Sequence, residues 1–309
     1  MTIEELNNLV DTGGIDEFIR VCEARQCKAL SQIADDISSR DNVGLVLVSG
    51  ASSAGKTTTS KRICTQLRVN GSDSLLLSTD DYFVGDKRNP RDENGELDYE
   101  TIECVDMPRL AEDVNRLFAG ESVRLRRFDF IAHDGYDATE EVKLPKGAKI
   151  VIEGIHALNP ILTRDIDDKL KYKVFIDPAT QPEVFAKFAL PSADARFLRR
   201  LVRDNQFRKL NPLETLKLWP KVLAGEKKWI IPFSGSADAR FDSSLAYELA
   251  VIKHYVVGLL VKILKADPEN VWVQSLESLL RTVHPASAVA VPGDSILRES
   301  IGGSVFDYS

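Results

Sequence analysis

Nowhere does the chain carry a run of about 18 apolar residues, so nothing in it has the length to cross a bilayer as a helix. Positive charge is not in excess either: 40 Lys and Arg stand against 47 Asp and Glu, a net charge of −7. That balance argues against a nucleic-acid partner, because nothing would offset repulsion from the phosphates. Cysteine is sparse. Cys22, Cys27, Cys64 and Cys104 show neither metal-ligand nor disulfide spacing, which suits reduced thiols in the cytoplasm. The first residues are acidic and polar, unlike a secretory signal. His133, His156, His254 and His284 lack ligand spacing such as His-Glu-x-x-His, and ordinary buried or surface roles are expected of them. An Asn-Lys-x-Asp guanine-reading motif is missing, which counts against a GTPase switch. What is left is a cytoplasmic globular protein of 309 residues, in one or two domains, with 43% apolar residues to build a core.

Against these absences stands one strong motif. Gly50 to Thr57 reads Gly-Ala-Ser-Ser-Ala-Gly-Lys-Thr, with the spacing of a phosphate-binding loop. Gly50 and Gly55 allow backbone angles that other residues resist, so the N–H groups of Ser52, Ser53 and Ala54 can turn inward around phosphate oxygens. Lys56 is placed to reach the β- and γ-phosphates, Thr57 to ligate Mg²⁺, and Thr58 to continue the binding surface. The flanks agree with this reading. Val43 to Ser49 is a β-branched apolar run suited to a strand buried on both faces. Thr58 to Leu67 has the composition of a helix, whose positive end would lie under the phosphates. A nucleoside triphosphate with Mg²⁺ is the expected ligand.

Along the chain, Ile3, Leu6, Leu9 and Val10 repeat at helical spacing, Gly13-Gly14 breaks the run, and Ile15 to Ile37 resumes it. Residues 1–40 therefore read as an N-terminal helical extension beside the nucleotide domain. Strands are expected at Ser74 to Ser78, Val123 to Phe128, Lys149 to Glu153 and Tyr172 to Asp177. A helix is expected at Pro108 to Phe118, and 84–106 reads as a polar, irregular excursion. Strands alternating with helices give an α/β class: a three-layer fold of the P-loop NTPase type, with a mainly parallel sheet, a helical lid and extra terminal helices. The kinase-type domain would span 41–285 with a lid around 194–240, leaving 286–309 as a tail, loosely packed from Val291 to Ser309.

In such sheets ligands gather at the carboxyl ends of the strands. Glu153, closing a hydrophobic strand, is placed to hold Mg²⁺ directly or through water. Asp80 could take a hydroxyl proton as general base, although Asp81 beside it leaves the choice open from spacing alone. From Ala193 to Lys209 a helix carries Arg196, Arg199, Arg200 and Arg203 at i, i+3, i+4 and i+7, hence on one face, with Phe197, Leu198, Leu201 and Val202 opposite. Four guanidiniums so placed could clamp transferring phosphates and close as a lid.

Five motifs in order then resemble the uridine kinase/phosphoribulokinase family. They are the phosphate loop, Leu77-Ser-Thr-Asp80-Asp-Tyr-Phe83, Phe128-Asp-Phe-Ile-Ala-His133, Ile152-Glu-Gly-Ile155, and Asp194 to Asp204. The resemblance covers roughly 43–210. It implies ATP-dependent phosphorylation of a nucleoside 5′-hydroxyl, with uridine or cytidine as acceptor. By motif position Asp80 resembles the catalytic base, and Tyr82 falls within the same substrate-side motif. Asp98 resembles the acid that holds ribose hydroxyls, and His133 a base-contacting histidine. Arg196 and Arg199 resemble lid arginines near substrate and phosphates. Phe128 stands where uridine kinases usually carry Tyr, and the segment after Asp204 departs from the usual lid, which puts pyrimidine specificity in question. Another small alcohol (a sugar, a sugar phosphate or a pantothenate-like acid) is the alternative acceptor, and a non-catalytic ATP-binding regulator the alternative role. A homo-oligomer is compatible with the sequence.

Overall fold

The computed structural model describes residues 1–129, 132–178 and 190–308. Two helices open the chain, α1 (Ile3–Asp11) and α2 (Ile15–Ser39), followed by β1 (Leu45–Gly50), α3 (Lys56–Val69) and β2 (Ser74–Ser78). After the 84–106 excursion come α4 (Met107–Phe118), β3 (Ser122–Val123), β4 (Arg126–Asp129), β5 (Asp134–Asp137), β6 (Val142–Lys143), β7 (Lys149–Glu153) and β8 (Lys171–Asp177). The remainder is α5 (Ser192–Phe207), α6 (Pro212–Trp229), β9 (Ala239–Asp242), α7 (Glu248–Ala266), α8 (Val271–Thr282) and α9 (Arg298–Ile301).

The main sheet runs β2-β7-β1-β8-β9, every neighbouring pair parallel. β1 lies at its centre because Leu45, Val46, Leu47 and Val48 are apolar on both faces, as a strand covered on both sides requires. On one face Leu45 and Leu47 join Ile150, Ile152 and the buried stripe of α4. On the other, Val46 and Val48 pack with Ile63 and Leu67 of α3 and with Leu30, Ile33, Ala34 and Ile37 of α2. The N-terminal helix α2 is thus a layer of the sandwich. A third cluster joins α1, α5, α6, α7 and α8.

Two details depart from expectation. The anticipated strand at 123–128 divides into β3 and β4, which pair antiparallel with β6 and β5 in separate ribbons. The end of the chain is packed, not loose: Val291, Ser295, Ile296, Leu297 and Ile301 are buried. A buried polar chain ties both ends of the molecule together. Tyr247 Oη donates to Glu23 at 2.5 Å and lies 3.4 Å from Ser295 Oγ, while Arg62 stands 3.7 Å from Glu23 and donates to Gln26 at 3.3 Å. No described helix is long and apolar enough to cross a membrane.

Candidate active site

Parallel register brings the functional ends of three strands together. Glu153 is level with Val48 of β1 on one side and Ser78 of β2 on the other. The loop 50–55 leaves β1 at that edge, and the single-turn helix Thr79–Tyr82 leaves β2 there. The two loop glycines work differently. Gly55 has a left-handed φ of 87°, as the inward turn demands. Gly50 keeps ordinary backbone angles, and a Cβ there would fall 2.2 Å from the Ile176 carbonyl oxygen, so close approach of β8 is its reason. Ser53 takes φ 60°, an unfavourable angle for a side-chain-bearing residue, of a kind that clusters at binding sites.

Lys56 folds back to donate to the Ala51 carbonyl at 3.0 Å. Burial lowers its pKa, against the opposing charges of Glu153, Asp80 and Glu299. Thr57 Oγ1 donates to Glu153 at 3.3 Å, and Ser78 Oγ donates to the same oxygen at 2.8 Å. Glu153 is pushed up to about 7, first by burial and then by Asp80, with Lys56 opposing. A hydroxyl and a carboxylate side by side are the hard oxygens that Mg²⁺ takes, and a buried acid raised this far favours a cation beside it. No cluster of three or more His, Cys, Asp or Glu metal ligands occurs among the described residues, so water and phosphates would complete the coordination.

A residue distant in sequence distinguishes the surroundings of the two aspartates. Asp81 is held by Arg127 at 2.6 Å. Asp80 donates its backbone N–H to Ser78 Oγ at 3.4 Å, and its charge acts on both Lys56 and Glu153.

The arginine face divides. Arg196 donates to the Ser52 carbonyl at 3.2 Å and to Glu226 at 2.7 Å, and Arg200 donates to Ser52 Oγ at 2.8 Å. Arg203 pairs with Asp204 at 3.1 Å and lies 3.7 Å from Glu299. Arg199 does not join them. It donates to both oxygens of Glu248 at 2.6 Å and to the Ser243 carbonyl at 2.9 Å, fully buried. At about 100° per residue Arg199 stands at the margin of the cationic face, beside Val202. The placement of Arg199 among catalytic groups is corrected accordingly. The expected lid is corrected as well for α5 itself, whose Phe197, Leu198, Leu201 and Val202 are fixed in the core. Glu226, Asp204 and Glu299 are the acids that meet the other three arginines.

The residues expected from the sequence to contact substrate are less convergent. Tyr82 is a core residue: its ring is 1% exposed and its hydroxyl donates to Asp113 of α4 at 3.0 Å, so it is removed from the substrate-contact set. Phe128 is buried edge-on to Phe83, with ring centroids 5.5 Å apart. His133 is 53% exposed, 3.6 Å from Asp86. The intervening motif residues Phe130 and Ile131 lie outside the described residues. Asp98 accepts from the Glu100 N–H at 3.0 Å. Sequence reasoning missed Glu100, which burial pushes up to about 7 against Arg200 and Lys56. It gave His156 no role. That ring is buried against Trp229, 6.5 Å between centroids, and burial brings it down to about 4, hence neutral. Arg208 was missed too, its pKa brought to about 10 chiefly by Arg203. The position of Glu100 two residues after Asp98, and of Arg208 one helical turn past Asp204, offered a hint; the contact of His156 with Trp229 links distant parts of the chain.

Residues 45–244 match the Phosphoribulokinase / Uridine kinase family. The uridine kinase of Deinococcus deserti is 30% identical over 165 residues, covering 53% of this chain and 70% of that protein. The uridine kinase of Staphylococcus aureus (strain Newman) is 32% identical over 164 residues, with the same coverage. Among solved structures, a possible uridine kinase from Bacillus stearothermophilus has a TM-score of 0.44 at 20% identity, covering 71% of this chain and 100% of that one.

Proposed function

Since the chain belongs to the phosphoribulokinase/uridine kinase family, we propose that it transfers the γ-phosphoryl group of ATP to the 5′-hydroxyl of a nucleoside, uridine or cytidine. One observation carries the reading: Lys56, the Thr57–Glu153 oxygen pair and the Asp80 carboxylate meet at one edge of the sheet. A regulator that only senses ATP has no need of the last.

Thr57 and Glu153 would hold Mg²⁺, which when bound neutralises charge on the β- and γ-phosphate oxygens. The loop amides and Lys56 bind the donor phosphates. Arg196, Arg200 and Arg203 supply fixed positive charge around them. Asp80 accepts the acceptor's hydroxyl proton as the new O–P bond forms and the bond to the departing ADP oxygen breaks. Asp98 is assigned to the ribose hydroxyls, with Phe128 and His133 toward the base.

A second acceptor class is favoured by a specific feature. His133 is turned toward Asp86 and solvent, whereas Glu100 feels the charges of Arg200, Lys56 and Asp80 and neutral His156 that of Lys56, an arrangement suited to a smaller polyol or sugar. ADP release with ATP and Mg²⁺ is to be measured across nucleosides, sugars, sugar phosphates and pantothenate. Stimulation by uridine or cytidine supports the nucleoside reading. Stimulation only by another alcohol transfers Asp98 and His133 to that acceptor. Tight ATP binding without stimulation by any of them defeats the kinase reading.

A further inference from the structure

The phosphate loop is bracketed on two sides. Successive side chains on a helix diverge by about 100°, and the first turn of α3 uses this. Thr57 points to Glu153, on the side of Asp80 and the transferred phosphoryl group. Thr58 points the other way: its hydroxyl donates to Glu299 at 3.0 Å and lies 2.8 Å from Tyr308 Oη. One turn further on, Lys61 stands over the rings of Phe306 and Tyr308, 5.9 and 5.3 Å from their centroids, and donates to the Asp307 carbonyl. Ile296 fills the space beside Gly55, where a Cβ would fall 2.5 Å from its Cγ2.

This C-terminal segment is built, not draped. Arg298 donates to the carbonyls of Ala288, Val291 and Gly302 at 2.7, 2.6 and 3.2 Å. Gly302 and Gly303 take left-handed angles of 86° and 73°, which turn the chain back toward α3. The segment also lies beyond residue 244, where the family match ends.

With the γ end of a triphosphate assigned to the side of Glu153 and Asp80, the opposite side of the first turn of α3, where Thr58 meets Glu299 and Tyr308, is left for its nucleoside half. From this we infer that the C-terminal segment forms the nucleoside half of the donor site. The faces of Phe306 and Tyr308 receive the base, and the Glu299 carboxylate receives a sugar hydroxyl. The inference rests on the reading of 50–58 as the donor loop.

The test compares the full-length chain with the double substitution Phe306→Ala/Tyr308→Ala in calorimetric titrations with Mg·ATP and with Mg·tripolyphosphate, which has the phosphates and no nucleoside. ATP affinity is expected to fall about tenfold while tripolyphosphate affinity holds. An equal loss for both ligands would make the segment a mere buttress of the loop and overturn the inference. A gain for both would make it an internal competitor, and no change for either would remove it from the site. Unaltered tripolyphosphate binding also shows that the variant is folded. Should the unsubstituted chain bind neither ligand, the donor-loop reading itself fails, which is a separate outcome.

Discussion

A carboxyl group buried away from water and beside another acid loses the solvation that its charge needs, and Glu153 is that group. Its pKa rises from the ordinary 4.5 to about 7, so folding disfavours its ionised form. The contribution to stability is full below pH 4.5 and is lost as pH rises through 7. Without Mg²⁺, the melting temperature of Glu153→Gln should therefore exceed that of the unsubstituted chain by more at pH 8 than at pH 5; a constant offset would contradict this. Asp80→Asn should keep ATP affinity and lose turnover by about 10²–10⁴-fold, as ADP release with the identified acceptor would show. Glu153 was legible because it closes an apolar strand. Spacing alone did not separate Asp80 from Asp81, although the resemblance favoured Asp80; the pairing of Asp81 with Arg127, which reaches back from another strand, was not legible. Tyr82 was misplaced because a motif fixes position along the chain, whereas the depth of the ring is set by Asp113 and α4.

Among the elements, α5 shows how far periodicity carries. Its two faces were legible, and its apolar stripe is buried as that spacing demands. Periodicity alone could not show that Arg199 has Glu248 as a partner, 49 positions away. Removing one member of a buried pair leaves the other uncompensated. Arg199→Ala should accordingly cost about 3–5 kcal/mol in chemical denaturation. Arg200→Ala leaves Asp204 paired with Arg203, so it should cost roughly 1 kcal/mol and act mainly by raising the KM for ATP. The short strands β5 and β6 escaped prediction because Asp134-Gly-Tyr-Asp137 has no apolar alternation and Val142-Lys143 is only two residues long. Their pairing comes from neighbouring strands, not from local preference.

For the molecule as a whole, the parallel sheet and its phosphate edge were readable from the alternation of apolar strands and helices. The assembly of the two chain ends around them was not. Leu30, Ile33, Ala34 and Ile37 looked like one stripe of an accessory helix, yet they cover Val46 and Val48 of the central strand. Deleting residues 1–40 should thus expose a face of the sheet and give an aggregating product by light scattering; a monodisperse, ATP-binding product would show that the helices are dispensable.

The seat of Ile296 beside Gly55 also governs the order in which the loop is completed. During synthesis Gly55 emerges together with the strand and helix that form the loop. The side chain that backs it is translated well after them, as is Ser295, which meets Tyr247 and Glu23. The loop is consequently made before the side chain that supports it, and its backing waits on a contact between distant parts of the chain.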